Sequence, residues 1–224
     1  MKNRTAHDLC RVVVVDGQVL IREGLSRVLE ESPGLACAGV AASGREALAL
    51  LDHADVMVTE LEFENESGFE LIHKLRSRSA VVGIVVHSGL TAGAFVSHCM
   101  ALGADAFVQK GTPLATLLVA IRRAAQGDHY FGPGLGEGVT DYLEARRRGV
   151  AEAIEPVDAL SLGELQVLQK MSLGMTTAET AHSLSKGVKT VATFQLRIRR
   201  KLGLANLEQL IRFAVLHFAR AARR

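Results

Sequence analysis

Asp16-Gly17, Glu60, Ser88 and Lys110 bring two carboxylates, a hydroxyl and an ammonium to four places far apart in a chain of 224 residues. Each closes or follows a short apolar run, so each would stand at the carboxyl end of a strand, where an open parallel sheet binds its ligands. No nucleophile with a neighbouring base emerges at readable spacing, which argues against an enzyme. Cys10, Cys37 and Cys99 are odd in number and lie far from one another and from any histidine at metal-ligand spacing. They read as reduced, half-buried thiols, not as a disulfide framework, zinc site or redox sensor. The eight histidines are scattered and receive no role, and no metal or cofactor is expected.

A second kind of chemistry lies at the other end. Net charge is only +2, but Ala159 to Arg224 carries 11 basic and 3 acidic residues, whereas residues 1 to 130 carry 12 and 15. A strongly basic tail domain is the footprint expected of a polyphosphate partner. Apolar residues make up 48% and charged residues 22%, the balance of a globular protein. The polar start, Met1 to Arg11, lacks the apolar core of a secretory signal, and no apolar run could span a bilayer, so a cytoplasmic protein is expected.

The elements that must position these groups follow from hydrophobic periodicity. Strands are predicted at Arg11–Val15, Leu35–Ala41, Val56–Thr59, Val81–Val86 and Ala106–Val108, with helices in the gaps. Ser43 and Glu46 form a capping box for a helix through Leu51, and Thr112 caps another that has Pro113 in its first turn. This alternation predicts an α/β doubly wound, flavodoxin-like domain over residues 1–126. Residues 127–158, Gly-rich at first and carrying Arg146-Arg147-Arg148, read as a linker whose arginines form a solvated helix face or a second DNA contact. Residues 159–224 read as a small all-α domain. Ser161, Thr176 and Asn206 each precede Glu or Gln by three, and Gly174 and Gly203 mark helix ends. Val188 to Leu202 forms the longest amphipathic helix, with Val188, Val191, Phe194, Ile198 and Leu202 on one stripe facing the core.

Two resemblances sharpen this reading. Val12 to Leu25 and Gly103 to Lys110 resemble the opening and close of the response-regulator receiver. By that resemblance Ser88 takes the hydroxyl position and Phe107 the aromatic switch position, and the face carrying Phe95, Met100, Leu114 and Leu118 is where receivers pair. The departures concern the chemistry. Asp16-Gly17 stands where the family has two acids that hold magnesium, Glu60 stands where it has the phosphate-accepting aspartate, and Glu64 replaces the proline that follows. Phosphoryl transfer needs an in-line carboxylate and a bridging divalent cation, so the receiver is expected to take no phosphate. Glu60 either mimics part of the phosphorylated state or is a solvated or Lys-paired acid of a retired pocket. A single carboxylate brings −1, short of the roughly −1.5 to −2 of a phosphoryl group, which favours the second.

Leu160 to Leu168 and Ser185 to Leu202 resemble the NarL/LuxR (FixJ) type of helix-turn-helix. The resemblance implies that Ala192, Thr193 and Leu196 face bases, where many relatives carry polar side chains. Lys189, Thr190, Arg197, Arg200 and Lys201 then become phosphate clamps. Methyl-bearing side chains pack on thymine but form no bidentate bond to guanine, so a T-rich half-site or weak specificity is expected. Together these point to an atypical, phosphorylation-independent transcription regulator acting as a homodimer. The alternatives are an auxiliary subunit that forms a heterodimer with a related regulator, and a receiver gated by a small ligand.

Overall fold

The computed structural model describes residues 9–63, 67–79, 81–90, 93–133 and 156–222. Glu64, Arg146-Arg147-Arg148 and most of the expected linker lie outside the described residues.

The first half is built on a parallel sheet of order β2-β1-β3-β4-β5-β6, comprising Cys10–Val15 (β1), Leu35–Ala41 (β2), Val56–Thr59 (β3), Gly83–Ser88 (β4), Ala106–Gln109 (β5) and Tyr130–Phe131 (β6). The interleaved helices are Val19–Glu31 (α1), Gly44–Ala49 (α2), Gly68–Arg78 (α3), Gly93–Ala101 (α4) and Leu114–Ala125 (α5). Val12 to Val15 are almost wholly buried, as are Met57, Val58, Val85, Val86 and Phe107. Alternation sends Val12, Val14, Val56, Val58, Val85 and Val108 into one core with Leu117, Ala120, Ile121 and Ala124 of α5. Val13, Val15, Met57, Ile84, Val86 and Phe107, which alternate with these, are buried as well, as expected of strands in a parallel sheet covered on both faces.

Register carries the chemical residues to one edge. Val12 pairs with Val56 on one side and Cys37 on the other. The ladder then continues one step past the strands, with Asp16 N–H donating to Ala41, Glu60 N–H to Val15 and Lys110 N–H to Ser88. Asp16, Glu60, Ser88 and Lys110 therefore share the carboxyl edge.

Several elements differ from expectation. β4 begins at Gly83, not Val81, which is 73% exposed. A side chain at Gly83 would bring its Cβ to 2.8 Å from the Ala124 carbonyl oxygen, so the strand enters the sheet where only glycine lets α5 approach. α2 stops at Ala49, and a 3-10 turn over Leu51–His53 follows. α5 starts at Leu114 with Pro113 as its cap residue, because the Thr112 hydroxyl is used on the Gln109 carbonyl to close the preceding turn. β6 is a sixth strand within the stretch expected to be linker, too short to show periodicity. Phe95, Met100 and Phe107 are buried while Leu114 is 42% exposed.

The second half comprises Leu162–Ser172 (α6), Thr177–Ser183 (α7), Val188–Lys201 (α8) and Leu207–Ala222 (α9), the last being the longest at 16 residues, not α8. Ser161 and Thr176 form complete capping boxes with Glu164 and Glu179. Asn206 accepts from the Gln209 N–H. Gly174 and Gly203 end α6 and α8 at φ of 78° and 66°, the left-handed conformation that suits glycine. Among the described residues no helix is long and apolar enough to cross a membrane.

Candidate functional site

At the carboxyl edge of the sheet, Lys110 Nζ lies 2.7 Å from Asp16 Oδ2 and 2.6 Å from Glu60 Oε2. The side chains are 19%, 3% and 8% exposed, so this is a nearly buried triad carrying one net negative charge. The other carboxylate oxygens are also engaged. Asp16 Oδ1 accepts from Gln18 N–H at 2.8 Å, and Glu60 Oε1 from Leu61 N–H at 2.6 Å. Burial works to lower the Lys110 pKa, but hydrogen bonds and charges from Asp16 and Glu60 outweigh it, and the ammonium is held above its ordinary value. Burial and then the nearby Lys110 charge push His87 down, favouring a neutral ring.

Ser88 reaches the same edge, but its hydroxyl accepts from Leu90 N–H at 3.2 Å instead of facing Glu60. Gly17 supplies no side chain, although a Cβ there would meet nothing within 4 Å. Packing around the Cβ does not demand glycine at this position. A divalent cation of the magnesium kind needs a near-octahedral oxygen shell. Among the described residues two carboxylates converge here, both bonded to the Lys110 ammonium, and no group of three potential ligands exists. The residues present do not fit that ion.

The structure brings Asp16, Glu60 and Lys110 together at this edge, with Glu60 buried and paired to Lys110 rather than solvated, a pairing that both readings of Glu60 share. Arg22 was missed. Its guanidinium donates to the Asp16 carbonyl at 2.6 Å from the first turn of α1, a position that no spacing rule marks. Cys10 and Cys99 are buried, Cys37 is partly so, and none of the three is in a disulfide. Burial raises the Cys99 thiol well above its ordinary value, which suppresses the reactive thiolate.

The second candidate surface is α8. Ala192, Thr193 and Leu196 are exposed, as are Lys189, Thr190, Arg197 and Arg200. Thr193 Oγ1 donates back to the Lys189 carbonyl at 2.9 Å, which leaves its methyl the more available group. Val191 and Ile198 are fully buried, Phe194 and Leu202 partly, and Val188, expected in the core, is 53% exposed at the first turn. Phe194 packs on Gly163 of α6, where a Cβ would approach the ring to 3.2 Å.

Lys201 departs from its expected part as a phosphate clamp. Its ammonium lies 2.6 Å from Glu164 Oε2 and donates to the Ala159 carbonyl at 2.9 Å. Glu164 is 3% exposed and also caps α6 through Ser161 N–H, so Lys201 neutralises a buried acid and ties the end of α8 to the start of α6. Arg199 likewise turns inward, to the Ala205 carbonyl.

The profile of the response regulator receiver domain matches residues 12–122, and that of bacterial regulatory proteins of the luxR family matches residues 158–214. The chain is a DNA-binding response regulator of the luxR family. This luxR-family regulator is 29% identical to the nitrate/nitrite response regulator protein NarP of Escherichia coli (strain K12), over 87% of the chain and 89% of NarP. It is 27% identical to response regulator GacA of Pseudomonas aeruginosa, over 93% and 97%. RcsB of Salmonella enterica serovar Typhimurium, solved bound to promoter rprA with the phosphomimetic BeF3−, shares the fold at a TM-score of 0.54 and 22% identity, covering 92% of this chain and 98% of RcsB. The receiver profile spans the Asp16–Lys110–Glu60 triad and the luxR-family profile spans α8, so both candidate surfaces lie inside matched domains.

Proposed function

We propose that this regulator binds promoter DNA sequence-specifically as a cytoplasmic homodimer and works without aspartyl phosphorylation. The observation that carries the reading is the Lys110 ammonium, bonded at once to Asp16 and Glu60. Two carboxylates held by one ammonium offer less than the oxygen shell a divalent cation needs for phosphoryl transfer, and the acid at the acceptor position is a glutamate with both oxygens occupied. In this reading residues 1–126 form the receiver-like domain, to which β6 adds an edge strand. Residues 127–158 connect it to the DNA-binding domain of residues 159–224.

Ala192, Thr193 and Leu196 face bases, while Lys189, Thr190, Arg197 and Arg200 hold phosphates, with two such helices meeting successive major grooves roughly 34 Å apart. The test is to incubate the protein with acetyl phosphate and magnesium, read its intact mass, and measure promoter affinity before and after. An unchanged mass with unchanged, sequence-selective affinity supports the reading. Uptake of a phosphoryl group, or binding that depends on the donor, overturns it.

One observation favours a second reading, in which the chain is an auxiliary subunit of a heterodimer. Leu196, 44% exposed, stands with Ala192 on the face that should read bases, and neither can form a directional bond to them. Gel shifts with the protein alone and with a related regulator separate the two, since an auxiliary subunit gives a discrete complex only with its partner.

A further inference from the structure

A cleft of about 280 Å³ lies between α2 and α3, and the regulator's proposed chemistry makes no use of it. Arg45 of α2 and Lys74 and Arg78 of α3 line it, opposed among the described residues by the single acid Glu70. Glu70 is already paired with Lys74 at 3.7 Å. Neither Arg45 nor Arg78 makes a hydrogen bond or ion pair with any described residue. Arg76, on the same helix, behaves differently and is spent on the carbonyls of Gly103 and Val82 and on Asp105. At the start of α3 the Ser67 hydroxyl also lines the cleft, buried and without a hydrogen-bond partner among the described residues.

Two exposed guanidiniums and an ammonium give this concavity a cationic lining that an anion complements, and the buried Ser67 hydroxyl beside them has no partner among the described residues. Half-buried Leu48 and buried Leu71 give the cleft an apolar floor. No aromatic ring lines it, so a nucleobase would find no stacking surface. Its volume lies just below the roughly 300 Å³ at which small-molecule pockets begin. We infer that this cleft binds a small phosphorylated metabolite of sugar-phosphate size, its phosphoryl group held by Arg45 and Arg78 and its hydroxyls by Ser67 and Glu70.

The cleft is also placed to act on the receiver. Gly68, beside Ser67, donates its N–H to the Leu61 carbonyl at 2.9 Å and packs so closely that a Cβ would sit 2.7 Å from the Glu60 carbonyl oxygen. A ligand that draws Ser67 toward itself therefore pulls on the backbone that carries Glu60. This inference stands independently of how the Glu60 pocket works.

The test is calorimetric titration of the full-length protein with ribose 5-phosphate, ribose, inorganic phosphate and a short poly-glutamate peptide. Ribose 5-phosphate should saturate with a Kd on the order of 100 µM, and ribose should not bind. Arg45→Gln and Arg78→Gln should each weaken binding roughly tenfold while leaving the thermal midpoint unchanged, since both side chains are exposed. Should either variant prove unstable, Arg45→Lys and Arg78→Lys keep the charge but lose the bidentate fork, and a weakening of several-fold is still expected. The inference is overturned by the absence of saturable heat or by equal affinity in the variants. It is equally overturned if inorganic phosphate binds as tightly as ribose 5-phosphate, or if the acidic peptide binds more tightly than both.

Discussion

Replacing Lys110 by methionine tests the pocket directly, because it keeps the length of the side chain and removes the charge that two buried acids share. Nζ lies 2.7 Å from one carboxylate oxygen and 2.6 Å from the other, so those oxygens are no more than 5.3 Å apart. Two like charges at that separation repel by about 3 kcal/mol at an effective dielectric of ~20. That agrees with the ~3–5 kcal/mol lost when one partner of a buried ion pair is removed. Lys110→Met should therefore destabilise the receiver by about 3 kcal/mol at neutral pH, or lower its thermal midpoint by roughly 10 °C.

Neutralising either acid by mutation removes the repulsion and should shrink the deficit relative to wild type. Glu60→Gln in the same background should recover most of it at neutral pH. Urea unfolding followed by circular dichroism is the suitable assay, since the chain has no tryptophan and guanidinium would screen the charges. A deficit under about 0.5 kcal/mol, or no recovery from Glu60→Gln, would refute the reasoning.

On the DNA face, Arg200→Ala should reduce the slope of log affinity against log salt by about 0.9, whereas Lys201→Ala should leave the slope nearly unchanged and instead lower stability through unpaired Glu164. A salt titration with a parallel melt distinguishes them. Gly68→Ala should cost about 3 kcal/mol or fail to fold, because its Cβ would fall 2.4 Å from the Leu61 Cα, which thermal unfolding will show. The Ala42 and Thr176 N–H groups hold the carboxyls of Glu46 and Glu179 below their ordinary value of 4.5. A depressed acid contributes stability above its unfolded pKa that is lost as pH falls through the folded one. Helical dichroism should accordingly fade below about pH 4.5, and less steeply in Glu179→Gln.

Much of this was legible because it is periodic. The run Val12 to Val15 announces a doubly buried strand, and once five strands are placed their register alone carries Asp16, Glu60 and Lys110 to one edge. Side-chain direction was less legible. Ser88 sits at the expected strand end yet turns its hydroxyl to Leu90, a local choice within the loop. Lys201 reads from helical periodicity as a solvent-facing cation. Its actual partner, Glu164, lies 37 residues away and is buried by a helix whose packing no local window contains. The start of β4 failed for a similar reason, since what excludes Val81 and admits Gly83 is the distance to α5.

The changes at Gly17 and Glu60 are coupled by charge. Three carboxylates at this edge would need a divalent cation besides Lys110 to approach neutrality, whereas Asp16 and Glu60 leave a residual of only −1 after Lys110. The added methylene of Glu60 goes with a carboxylate that accepts from its neighbour's N–H and reaches the ammonium as well. Open space at the Gly17 Cβ means that a side chain can start there without a clash. Gly17→Asp combined with Glu60→Asp should then bind magnesium and accept phosphate from acetyl phosphate, whereas Glu60→Asp alone should not, because it shortens the acceptor without completing the oxygen shell. Phosphoryl uptake by the single variant would mean that Glu60 alone had silenced the pocket and that Gly17 is incidental.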